Sequence, residues 1–177
     1  MTLALNNKKA FSLLELLFVI LILGILTGIG MPSFIDAIDN HRLKGSARNL
    51  FSVFKKARLE AIRRNTNVVI SIIPAGYSPG GMVGSYQVFV DDGAGSGTAG
   101  NFILDGAEQV LVLANMPAKV SLISSTFTGT PKSTAFNSRG LPIKLGDVRL
   151  RNSTRWYRVS LSIAGNVNMA VSEDGAW

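Results

Sequence analysis

One carboxylate stands where a carboxylate is costly. Glu15 lies inside the run from Phe11 to Met31, FSLLELLFVILILGILTGIGM, which carries no other charge. An ionised acid in hydrocarbon costs several kcal/mol unless something neutralises it, so the chemistry open to Glu15 is ion pairing, and its partner is the question. A second chemistry is suggested near the C-terminus. Lys144, Arg149, Arg151, Arg155 and Arg158 fall in a stretch whose only acid is Asp147, with Trp156 and Tyr157 among them. Cations interleaved with aromatics can serve both phosphates and bases, which makes Arg149, Arg151, Arg155 and Arg158 a candidate DNA-binding patch. Catalysis has little to work with. The chain has no cysteine and one histidine, His41, placed among Asn40, Arg42 and Lys44 on helical sequence, with no orienting partner and no further ligand for a metal. Asp91 and Asp92 are adjacent acids of the kind found in turns. Their glycine-rich surroundings lack the alternating oxygens and closing Glu of a calcium loop, and no Gly-Lys-Ser/Thr follows to make a phosphate loop. We read an enzyme out, expect no cofactor or metal, and take the stretch from Asp91 to Asn101 as a flexible surface loop.

The elements that must position these residues begin with the apolar run. At about 1.5 Å per residue it can cross a hydrocarbon core of roughly 30 Å. Lys8 and Lys9 precede it and residues 1–10 hold no acid, so the positive-inside tendency places the N-terminus in the cytoplasm and everything after Met31 outside. No polar cleavage region follows the run, which argues against removal of the segment as a secretory signal. Helical spacing then resumes. Leu43, Ala47, Leu50, Phe54, Ala57 and Ala61 step by four and three, drawing one apolar stripe over a helix from 33 to 64. After Asn65 the pattern changes to short apolar runs separated by Gly, Pro, Asn and Ser. Val68 to Ile73, Tyr86 to Val90, Gln109 to Leu113, Val120 to Ile123, Val148 to Leu150, Trp156 to Ile163 and Asn166 to Val171 read as seven or so strands. Tyr157, Val159, Leu161 and Ile163 fall on one strand face, and Gly165-Asn166 reads as a tight turn. The 177 residues allow one anchor and one domain, and 47% hydrophobic residues suffice for a core. The organisation expected is residues 1–10, a helix over 11–64 with 11–31 in the membrane and 33–64 amphipathic, and a globular β domain over 65–177. The fold class is α+β, a long helix packed on a mainly antiparallel β domain. The net charge of +7, falling to +5 without Lys8 and Lys9, admits anionic partners.

The stretch Lys8-Lys9-Ala10-Phe11-Ser12-Leu13-Leu14-Glu15-Leu16 resembles the class III signal of type IV prepilins and type II secretion pseudopilins. That resemblance implies a leader of residues 1–10, cleavage between Ala10 and Phe11 by a prepilin peptidase, methylation of the new Phe11 amine, and Glu15 as the fifth mature residue, pairing with the amine of a neighbouring subunit. The family usually has Gly before the cut, where this chain has Ala10; small size is kept. Bottom-up electrostatics agrees, because a cationic amine near the acid favours its ionised form.

The junction Ala57-Arg58-Leu59-Glu60-Ala61-Ile62-Arg63-Arg64-Asn65 resembles the signature of GspH/FimT-type minor pseudopilins. Tyr86 to Gly93, Gly106 to Leu111 and Phe136 to Gly140 resemble strand and turn elements of that subgroup in the same order. The resemblance implies a pilin-like helix with two sheets, and a structural subunit that initiates or caps a type IV pilus or a type II secretion pseudopilus. The partners implied are the peptidase, other major and minor pilins, and an inner-membrane platform with its ATPase. Some FimT-type proteins bind DNA in natural transformation. Their C-terminal G-R-x-R motif maps to Gly165-Asn166-Val167-Asn168, which has neither arginine. The patch of Arg149, Arg151, Arg155 and Arg158 would have to substitute.

Overall fold

The computed structural model describes residues 11–177, so the expected leader with Lys8, Lys9 and Ala10 lies outside the described residues. Helix α1 runs from Leu13 to Arg64, and eight strands follow: β1 (Asn67–Ile73), β2 (Ser85–Asp91), β3 (Val110–Asn115), β4 (Ser121–Ser125), β5 (Lys132–Phe136), β6 (Gly146–Arg151), β7 (Trp156–Leu161) and β8 (Val167–Ser172). The chain divides into two units at Ile38 and Asp39. In the first, the apolar residues from Leu13 to Leu26 are all exposed, and the helix is long and apolar enough to cross a membrane.

In the second unit α1 packs on two four-stranded antiparallel sheets, ordered β3-β2-β1-β5 and β4-β6-β7-β8. This is the expected α+β, pilin-like arrangement. Leu43, Ala47, Leu50, Phe54, Ala57 and Ala61 are each at most 1% exposed, so the stripe read from spacing is the face of α1 that enters the core. It meets Val68, Ile70 and Ile72 of β1 and Val148, Leu150 and Val159 of the other sheet in one cluster. Phe54 stacks on Phe127 at 6.1 Å between ring centres.

The helix ends by a defined device. Asn65 adopts a left-handed backbone at φ 52°, Asn65 N–H donates to the Ile62 carbonyl, and Thr66 N–H donates to that of Ala61, each at 3.3 Å. Those two bonds form a Schellman motif with asparagine where glycine is commoner. Glu60 bonds Arg64 and Arg63 one turn away, and these two guanidinium groups hold its carboxyl below the usual carboxylate range. The family-like signature from Ala57 to Asn65 is therefore the stop of the helix and its hand-over to β1.

Three expectations are corrected. A strand not among those read from the sequence, Lys132–Phe136, forms β5 beside β1 and makes eight among the described residues. Its sequence KSTAF lacks an apolar alternation, yet Ser133, Thr134, Ala135 and Phe136 are all buried, with Thr134 Oγ1 donating to the Lys144 carbonyl. Ile163 lies beyond the end of β7 and is 79% exposed. Finally, the loop after β2 is cross-braced. Asp91, 1% exposed, accepts N–H bonds from Gly100 at 2.6 Å and Phe102 at 3.1 Å, and Glu108 accepts from Gly93 and Asp105. This bracing seats Phe102 on Val69, Phe89 and Ala135, a small second core on the outer face of the first sheet. Replacing Asp91 with Asn leaves one amide without its acceptor, at a cost of about 1–3 kcal/mol. We expect faster hydrogen exchange at Gly100 and Phe102 in Asp91→Asn; unchanged protection there would contradict this role.

Candidate functional site

Phe11 lies two residues before α1 and Glu15 in its first turn, both exposed, with Phe11 at 79%. The Leu16 N–H donates to the Ser12 carbonyl at 3.1 Å, so the helical turn that carries Glu15 closes on Ser12. Ser12 and Glu15 also have the S-x-x-E spacing of a capping box, and an acid in the first turn suits the helix dipole. That local role is legible in the spacing of Ser12 and Glu15. It accounts for an acid at a helix start in water but leaves a charge unmatched in lipid. Among the described residues Glu15 has no ion-pair partner. On the same turns Leu13, Leu16, Leu17 and Ile20 are exposed apolar side chains, as are Leu26, Met31 and Phe34 further along. Such a surface suits lipid or other helices, and the Thr27 hydroxyl is turned to the Leu23 carbonyl at 2.7 Å.

The arginines are only partly brought together. Arg149 and Arg158 are cross-strand partners, as are Arg151 and Trp156, and all point away from the buried Val148, Leu150, Tyr157 and Val159. Arg155 instead lies in the turn before β7, where its N–H donates to Asn152 Oδ1. The three on the sheet are already engaged. Arg149 pairs with Asp147 at 3.0 Å, Arg151 lies between the rings of Tyr77 and Trp156 at 4.0 and 4.4 Å, and Arg158 covers Trp177 at 4.6 Å. Of the two aromatics that would stack bases, Trp156 is thus occupied by the guanidinium of Arg151 and Tyr157 is buried in the core. His41 is exposed on α1. No group of three His, Cys, Asp or Glu residues is set to hold a metal among the described residues.

An exposed, membrane-length helix with an acid in its first turn, joined to a β unit of two sheets, defines a subunit of the pilin class. The comparisons place it further. Residues 46–165 match the family of type II transport protein GspH, and residues 5–31 match the prokaryotic N-terminal methylation motif. The chain belongs to the GspH family and is a minor pilin or pseudopilin carrying the prepilin methylation motif. It is similar to the pilin-like protein PilA1 of Thermus thermophilus, 38% identical over 88 residues, which are 50% of this chain and 51% of that protein. The chain thus spans about half the length of the curated relative it matches. The crystal structure of the type IV minor pilin FimU of Pseudomonas aeruginosa aligns over 74% of this chain and 90% of that one, at 14% identity and a TM-score of 0.49. The apolar helix and the motif together indicate, among the described residues, one membrane-anchoring segment.

Proposed function

We propose that the chain is cut between Ala10 and Phe11, methylated on the Phe11 amine, and built as an initiating or tip subunit into a type IV pilus or type II secretion pseudopilus. Lys8 and Lys9 hold the leader in the cytoplasm, and the second unit faces the periplasm. An inner-membrane platform with its ATPase draws the processed chain from the bilayer. Glu15 pairs with the Phe11-type amine of a neighbouring subunit, which neutralises a charge that lipid alone would not. The single observation that carries this reading is the acid set one turn after Phe11 on a helix whose apolar residues are uncovered from Leu13 to Leu26. Leaving the bilayer requires that surface to find other helices. Deleting the gene is expected to lower filament number or secretion by about tenfold, restored by the intact gene; normal filaments in the deletion strain would contradict an initiating role.

A second reading, DNA uptake, rests on Arg149, Arg151 and Arg158 sharing the solvent face of the second sheet. Their existing partners, and the missing arginines at Asn166 and Asn168, weigh against it. Duplex binding that falls steeply with salt, and is lost on replacing these three and Arg155, would favour it.

A further inference from the structure

A groove lies between α1 and the outermost strand of the second sheet. One wall is the helix face of Lys55, Arg58, Leu59 and Ile62, spaced as i, i+3, i+4 and i+7; the other is Gly165 to Asn168, and the cleft between them holds about 640 Å³. Gly165 is tight against Arg58, which donates an N–H to the Gly165 carbonyl at 3.0 Å and closes this end of the groove. Strand β8 is the edge of its sheet. The Ser162 N–H donates to the Asn166 carbonyl, and the register continues through Ser160 with Asn168 and Arg158 with Ala170. Hydrogen-bonded pairs alternate along an antiparallel ladder, so the backbone groups of Val167, Met169 and Val171 point to the open edge.

The same three side chains share the face on which Tyr157, Val159 and Leu161 are buried. Cover fails along the strand: Val167 is 9% exposed, Met169 36% and Val171 55%. Leu59 and Ile62 opposite are also exposed. Strand edges are usually guarded by charge or proline, and Val167 to Ser172 has neither. The pocket beside β3, the outer strand of the other sheet, holds only about 10 Å³. Two cations stand at the β8 groove, and among the described residues neither Lys55 nor Arg58 has a carboxylate within ion-pair distance.

We propose that this groove binds an extended acidic segment of a partner protein, added alongside β8 as a further strand, with its carboxylate held by Lys55 and Arg58. Edge amides bond its main chain, and apolar residues spaced by two reach Met169, Val171, Leu59 and Ile62. A nucleic acid would use the cations and leave the edge amides and apolar side chains idle. The arginine patch, moreover, occupies the opposite face of this sheet. The inference does not depend on processing or polymerisation of the N-terminal helix.

The test uses the full chain in lipid nanodiscs with its methionines labelled at the methyl carbon. The probes are a pool of nine-residue peptides alternating Val, Ile, Thr or Tyr and ending in Glu with a free carboxylate, the same pool ending in amidated Gln, and a 20-base-pair duplex DNA. The acidic pool is expected to shift the Met169 methyl saturably while leaving buried Met116 unmoved, and to bind at least tenfold more tightly than the amidated pool. Met169→Pro, which removes an N–H directed at the open edge, is expected to weaken peptide binding at least tenfold by fluorescence anisotropy. If the Met116 resonance shows that variant to be misfolded, Leu59→Glu on the exposed helix face carries the same expectation. No Met169 shift, equal binding of both pools, a folded Met169→Pro or a Leu59→Glu variant with undiminished affinity, or DNA that shifts Met169 and displaces the peptide would each overturn the proposal.

Discussion

Replacing Glu15 with alanine is expected to leave membrane insertion intact and to cut incorporation into filaments at least tenfold. Insertion depends on the apolar run, which the substitution makes more apolar. Assembly instead leaves a neighbour's cationic amine without its counter-charge in a low-dielectric bundle. Removing one member of a buried pair costs about 3–5 kcal/mol, and each 1.4 kcal/mol is roughly tenfold in an equilibrium. A tenfold loss in cells is therefore the lower bound. Glu15→Asp keeps the charge and should recover part of the incorporation, whereas Glu15→Gln keeps the size and should not. That contrast separates ion pairing from the capping-box role, since Gln can serve the box as Glu does. Quantifying each variant in membranes and in sheared filaments checks the prediction; equal incorporation of Gln and wild type would assign Glu15 to the helix end alone.

The second large effect lies in the core. Phe54 is 1% exposed and stacks on Phe127 where α1 meets both sheets. Truncating a buried phenylalanine to alanine costs about 3–5 kcal/mol, a large share of the 5–15 kcal/mol that holds a typical domain. For a unit of this size Phe54→Ala should lower the melting temperature by about 10–20 °C, followed by circular dichroism of the full chain in detergent. Lys56→Ala, two residues on and on the exposed face of the helix, should change it by no more than about 2 °C. A Phe54→Ala melt within that margin would show that α1 is not integral to the β unit. The converse substitution, Ala57→Leu, would overfill a site that is also 1% exposed.

What the sequence made legible was whatever periodicity could carry. The six stripe positions from Leu43 to Ala61 were found because a helix buries one face, and Tyr157, Val159 and Leu161 because a strand alternates. β5 escaped because its burial rests on hydroxyl hydrogen bonds and register with β1, neither of which leaves an apolar pattern. The loop after β2 looked loose by composition, since glycine and alanine dominate it. Its order comes from buried carboxylates receiving amides nine and eleven residues away, a pairing that composition cannot express. Asn65 could have been read as a helix stop from its place after the last periodic residue. The four arginines were grouped by nearness in sequence, and strand register then moved Arg155 off the face that Arg149, Arg151 and Arg158 share. The β8 groove had no sequence signal, because Lys55 and Arg58 lie over a hundred residues from the strand they face.

The central claim, that this chain enters a filament through a freed Phe11 amine and Glu15, is tested most directly by mass spectrometry of its N-terminus in the sheared filament fraction of cells that hold the parent machinery. The account predicts a peptide beginning with N-methylated Phe11. Recovery only of chains that still carry residues 1–10, or absence of the protein from filaments that otherwise form, would contradict it.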